Sequence, residues 1–171
     1  VAFARVQARA TRLRMGSLDV APTALWVDPA RDLAVLEFPA SEAAAIAQGL
    51  AQDPAAPIPF GDSVVPGGGE DVEAWGYPAA VHPQVAKPAV SATTGELVVL
   101  NAALPRGYSG GPVLRPVDGG KRLVGVISRA DEANDQTTAV RWSHAASLLT
   151  AARQGTAQAV PAMGEGAFDT S

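Results

Sequence analysis

Leu104-Pro-Arg-Gly-Tyr-Ser-Gly-Gly-Pro-Val-Leu114 sets one serine among three glycines, after a proline turn and ahead of an apolar run. Glycines suit a loop whose backbone must approach a substrate carbonyl closely, because a Cβ would stand in the way. The N–H groups of Gly107 and Ser109, two residues apart, converge on one oxyanion if the loop curls. Ser109 is then the candidate nucleophile. A serine hydroxyl is weak at neutral pH and needs a base, usually a histidine that a carboxylate orients.

A second segment supplies such a carboxylate. Asp28-Pro-Ala-Arg-Asp-Leu-Ala-Val-Leu36 puts Asp32 directly against a buried-strand pattern. An aspartate there is expected in a low-dielectric seam, where an orienting group belongs. Around these two segments the chain reads as short strands and turns. Its 171 residues include 17 Gly and 14 Pro, with only 5% aromatics, which leaves little room for long helices. Val6, Ala8 and Ala10 alternate with Gln7, Arg9 and Thr11. Further strand-like runs fall at 24–27, 33–38, 72–75, 90–93, 96–100, 112–114, 123–128 and 138–142. A short helix is expected over 41–52 with Ser41 as its cap, and another over 143–153 with Ser143 as its cap.

Composition narrows the function classes. With 47% hydrophobic and 18% charged residues, the chain has the material for a core. Without Cys there is no disulfide frame, thiolate nucleophile or Cys-type zinc site. A net charge of −4 argues against a general nucleic-acid binder. No apolar run reaches the roughly 18 residues of a membrane span. Localisation stays open, since absence of Cys fits either compartment and no signal peptide is visible.

The two segments, in this order and spacing, resemble the chymotrypsin-fold serine peptidases, in particular their bacterial trypsin-like and HtrA-like branch. Asp32–Leu36 resembles the family's Asp-Leu-Ala-Val-Leu, and Gly107–Pro112 its Gly-x-Ser-Gly-Gly-Pro. Gly61–Ser63 with Val72–Pro78 resembles the start of its second barrel, and Leu123–Ser128 its Leu-Val-Gly-Val-Ile-Ser strand. The likeness runs from about Ala21 to Arg153. It implies an all-β, two-barrel chymotrypsin-like fold with a truncated first barrel and a short C-terminal helix. Residues 1–52 would be the remainder of the first barrel with a linker helix, 53–60 a linker, 61–153 the second barrel with the closing helix, and 154–171 a flexible tail.

The resemblance also implies roles. Ser109 would be the nucleophile, Asp32 the residue that orients the histidine, and the N–H groups of Gly107 and Ser109 the oxyanion hole. Ser128, Arg129 and Ala130 would pair with the peptide backbone in β-fashion. Ala103, with Leu104 beside it, would floor a pocket for a small or apolar side chain. The substrate would be a peptide or protein, with no cofactor, no metal, no nucleic acid and no membrane partner. Other domains of a longer parent chain are possible partners. Tyr108 departs from the animal trypsins, which carry an aspartate there that pairs with a freshly cut N-terminus. The larger departure is the catalytic histidine. No residue before Asp32 is a His, and the family's spacing would put it at or just before Val1. The chain is therefore expected to be a fragment, nearly inactive alone, of a serine endopeptidase.

Other readings are weaker. His82 lies in a proline-bracketed loop and His144 at a helix start, neither with a second ligand at metal spacing. Arg5, Arg9, Arg12 and Arg14 read as the wet face of a strand. Gly67-Gly-Gly69 lacks the Lys-Ser/Thr of a phosphate loop. Gly-x-Ser-x-Gly at 107–111 also fits an α/β-hydrolase elbow, with Asp131 or Asp135 and then His144 downstream. About 60 residues remain after Ser109, too few for the rest of such a sheet. A peptidase-like module that binds extended peptides along Leu123–Ala130 without cutting them is the alternative of a different class. A regulatory peptidase domain, once fused to others, is a third.

Overall fold

Ala4 and Val6 are buried and Arg5 and Gln7 exposed in β1 (Ala4–Gln7), the two-residue period of a half-buried strand. The computed structural model describes residues 3–8, 11–51, 65–155 and 158–159. The chain divides into two compact units: one takes the described residues up to Ala51 and from Ser147, the other those from 65 to Ala146.

In the first unit, β2 (Leu13–Met15) and β3 (Leu18–Val20) form a hairpin. Its loop is Gly16-Ser17, and Gly16 has φ 58°, which suits the first central position of a II′ turn. β4 (Ala24–Asp28) and β5 (Leu33–Glu37) pair antiparallel around the Pro29–Asp32 turn. A 3-10 turn at Ala40–Glu42 leads into α1 (Ala43–Ala51). The main sheet here has the order β13-β1-β4-β5, where β13 (Gln158–Ala159) lies parallel to β1. Ala4, Val6 and Val27 form its core, with Leu25 packed against them.

The second unit is an antiparallel barrel. Its strands are β6 (Glu73–Gly76), β7 (Gln84–Ala86), β8 (Val90–Thr93), β9 (Leu97–Leu100), β10 (Pro112–Val117), β11 (Gly120–Asp131) and β12 (Gln136–Arg141), in the order β7-β6-β10-β11-β12-β9-β8. The residues that lead into β6 return to those that lead into β8. Gly69 N–H donates to Val90 O (2.7 Å), Val90 N–H to Glu70 O (2.8 Å) and Val72 N–H to Pro88 O (3.0 Å), around an Asp71–Ala89 bridge. The sheet thus curls back on itself, with β7 added outside β6. Val72, Ala74, Val90, Val98, Leu100, Val113, Val124, Ile127 and Ala139 fill the interior, joined by Leu104 and Tyr108 from the connecting loop.

α2 (Trp142–Gln154) follows β12 directly, and the boundary between the units falls within it, after Ala146. Among its residues Leu148 and Ala151 are buried. Pro39, not Ser41, precedes the 3-10 turn, without a side-chain cap, and Ser143 is the second residue of α2, which starts one residue before the expected 143–153. Residues 53–60 lie outside the described residues, as does most of 154–171.

Candidate active site

The loop between β9 and β10 is tied down by its carbonyls. Gly107 O accepts from Tyr77 N–H at 2.8 Å, and Tyr108 O from Gly111 N–H at 2.9 Å. The second bond closes a β-turn over Tyr108–Gly111, with Ser109 at its second position and Gly110, at φ 82°, at its third. A positive φ at the third position is what a type II turn demands. Ser109 stands exposed at the apex, while Tyr108 is buried beneath it at 4% exposure. Gly107 has φ 98°, and a Cβ there would sit 2.6 Å from Pro78 Cα and 2.8 Å from Tyr77 O. Only glycine meets both demands.

With the carbonyls turned away, the amides are left. Among the described residues no acceptor takes the N–H of Gly107 or of Ser109. Two donors of the kind an oxyanion hole uses are therefore unengaged in the serine loop. The loop's far end is pinned to β11: Gly110 N–H donates to Ile127 O at 2.8 Å, and Ile127 N–H to Gly111 O at 2.9 Å.

β11 continues past that point. It pairs with β10 only as far as Val126, but with β12 as far as Asp131. The expected substrate-pairing residues 128–130 lie on this extension. Ser128 is the extra residue of a β-bulge, since Ile127 opposes Ala139 and Arg129 opposes Thr138. Bulges re-aim side chains and twist a strand locally. Arg129 and Ala130 are exposed.

The expected pocket floor is anchored to the start of β12. Ala103 N–H donates to Asp135 Oδ1 (2.9 Å) and Leu104 N–H to Thr137 Oγ1 (2.9 Å), while Thr137 Oγ1 donates to Ala102 O (2.7 Å). Ala103 is half-buried and Leu104 buried. Asp131, on the neighbouring turn, accepts from the Asn134 side chain and the Ala133 and Asn134 amides. The Asn134 side chain, then its amide, holds the Asp131 carboxyl below the usual range. Thr137 and Asp135 carry this anchoring, and the sequence reading missed both. Ser109, Gly107, Ala103, Leu104 and Ser128–Ala130 are all in the barrel unit.

Asp32 belongs to the other unit. It begins β5's approach with φ 56° and is exposed, so the expected low-dielectric seam is not where it sits. The buried carboxylate of that turn is Asp28, 1% exposed, whose Oδ2 meets Arg31 Nη1 at 3.2 Å. Arg31 N–H also donates to Asp28 O at 3.2 Å, so side chain and backbone both fix the turn from which Asp32 projects. The two histidines are engaged elsewhere: His144 Nε2 lies 3.2 Å from Gly95 O, and His82 Nε2 3.5 Å from Gln84 Nε2.

Comparison with known proteins agrees with this architecture. The family model for the trypsin-like peptidase domain matches residues 4–126, a span that holds both Asp32 and Ser109. No curated protein matches. Among solved structures, the active form of the Rv3671c protease from M. tuberculosis superposes with a TM-score of 0.64 at 19% identity, over 88% of this chain and 65% of that one. Its inactive form gives 0.59 at 17% identity, over 81% and 70%. At these identities the likeness establishes the chymotrypsin-like, mostly β fold, and the chain spans 65% of the active form's length. With the family model covering most of the chain, this protein belongs to the trypsin-like peptidase domain family.

Proposed function

We propose that the chain belongs to a serine endopeptidase that works by acyl transfer. Ser109 Oγ attacks the scissile carbonyl, and its proton passes to a histidine supplied from outside this sequence. Asp32 orients that imidazole. The tetrahedral oxyanion rests on the N–H groups of Gly107 and Ser109, the leaving amine takes the proton, and water then releases the acyl group. The substrate's acyl side lies extended along Ser128–Ala130, with Ala103 and Leu104 flooring a pocket for a small or apolar side chain. The observation that carries this reading is the loop itself: an exposed serine whose two preceding carbonyls are tied back, with no acceptor among the described residues for the N–H groups of Gly107 and Ser109.

The test is intact-mass analysis of the full-length protein after treatment with a serine-directed fluorophosphonate. One adduct, mapped to Ser109 and lost in Ser109→Ala, is expected. The 171-residue chain alone is expected to react far more slowly, because a triad stripped of its base keeps only residual catalysis. Parent-like labelling of the isolated chain would return His82 or His144 to the mechanism.

One observation favours a second reading. Both histidines of the chain are bonded away from Ser109, to Gln84 and to Gly95. If the full-length protein takes no adduct yet binds extended peptides, the domain is a peptide-binding module and the serine loop a relic.

A further inference from the structure

The shape of the Ser109 loop is impressed on it by another stretch of chain, Trp75–Pro78. Three approaches are too close for any side chain. A Cβ on Gly107 would press on Pro78 Cα and Tyr77 O, and one on Gly111 would overlap the Trp75 carbonyl oxygen. A Cβ on Gly76 would lie 2.5 Å from Tyr108 Cγ and 2.6 Å from its Cδ1. The bond from Tyr77 N–H to Gly107 O adds a directional tie. The impressing stretch is itself rigid. Ala74 pairs with Val113 of β10, and Trp75 and Gly76 pair with Val85 and Gln84 of β7. Sites carried on paired strands hold their geometry better than sites on loops alone.

We infer that Gly76 is a positioning residue for the oxyanion site: its bare Cα seats the Tyr108 ring, and the seated ring sets the direction of the Gly107 and Ser109 amides. This rests on the reading of Ser109 as nucleophile. Gly76 does not have a positive φ, so alanine suits its backbone, and the nearest atoms to a methyl group there all belong to the Tyr108 ring. Gly67 serves as control, since it too lacks a positive φ and a Cβ there would meet nothing within 4 Å.

The experiment uses the full-length protein with two readouts, steady-state kinetics on a peptide substrate and the amide resonances of Gly107 and Ser109. Gly76→Ala is expected to lower kcat about 100-fold, the size of losing an oxyanion donor, with KM changed less than about threefold. Both amide resonances shift. Tyr108→Ala removes the ring and is expected to lower kcat as well, and adding it to Gly76→Ala is expected to cost less than about threefold more, the non-additivity that residues in contact show. Gly67→Ala changes neither readout. Should Gly76→Ala not fold, Tyr108→Leu unseats the ring while keeping an apolar side chain, and a lower kcat with shifted amides is again expected. The inference is overturned if the loop amides stay in place in the folded variants, or if Gly76→Ala raises KM and leaves kcat alone. A wild-type protein that cleaves nothing would overturn the peptidase reading, and the amide shifts would still judge the role of Gly76.

Discussion

Thr137 shows how one side chain can hold a wall. It is 1% exposed, and its hydroxyl works in both directions, accepting from Leu104 N–H and donating to Ala102 O. Valine has the same outline without the oxygen. Thr137→Val should therefore leave a buried amide without its partner and a carbonyl without its donor, at a cost of about 1–3 kcal/mol. The denaturation midpoint should fall with the m-value unchanged. A change within about 0.5 kcal/mol, as at ordinary surface sites, would mean that both backbone groups find other partners. No local pattern marks this residue. Threonine at a strand start looks like any β-branched residue, and its partner Leu104 is 33 positions away. Ser109 and Gly107 are legible for the opposite reason: the chemistry needs a serine and its glycines within one turn, so the constraint is written in consecutive letters. Asp32 is singled out by its place directly before the apolar run Leu33–Leu36. The burial assigned to it belongs to Asp28, four residues earlier, because the turn closes through Arg31 and leaves Asp32 outward.

The elements are held by contacts between strands that the chain order does not reveal. Arg5 on β1, Trp26 on β4 and Glu37 on β5 share one face of the first sheet. Glu37 Oε2 accepts from Trp26 Nε1 at 2.8 Å and from Arg5 Nε at 3.2 Å, and the Arg5 guanidinium lies 5.8 Å from the centre of the Trp26 ring. The Trp26 bond, and after it the Arg5 bond, holds the Glu37 carboxyl below the usual range. The sign follows directly. The folded state favours ionised Glu37, so its contribution is complete above the ordinary carboxylate range and is lost as pH falls through the lowered value. Glu37→Gln should therefore flatten the acid side of the stability curve. Urea midpoints of wild type and variant should differ near about pH 6 and converge toward about pH 3. The side chain is 43% exposed and the effect correspondingly small. Parallel curves would show that the pair adds nothing to folding. Period-two alternation makes β1 legible as a half-buried strand, and apolar runs of strand length mark β4 and β5, but the order β1-β4-β5, which brings these three residues together, is not legible. The β2–β3 hairpin and β7 escape the sequence reading for a simpler reason: at three residues each, they are too short to show a period.

At the scale of the whole chain, the two units differ in how completely they bury their edges. The barrel closes through the 69–72 and 88–90 bonds and has its own core, whereas the first unit's main sheet is four short strands with β5 at one end. Closure removes unpaired edges, and elements with fewer buried contacts open first. α2 bears on this balance, because its part from Ser147 onward counts with the first unit. Leu148 in that part is fully buried, and truncating a buried leucine to alanine costs about 2–5 kcal/mol. The loss should fall on the unit to which Leu148 belongs. In native-state hydrogen exchange, the segment over β4 should exchange before the segment over β9 in the wild type. Leu148→Ala should speed β4 by the full loss of stability and leave β9 nearly unchanged. Because the candidate nucleophile, its amides and the pocket wall all lie in the barrel, the Gly107 and Ser109 amides should keep their wild-type shifts in the same variant. Equal acceleration of β4 and β9 would mean that the two units unfold as one body, and that the Ser109 loop depends on the first unit for its shape as well as for Asp32.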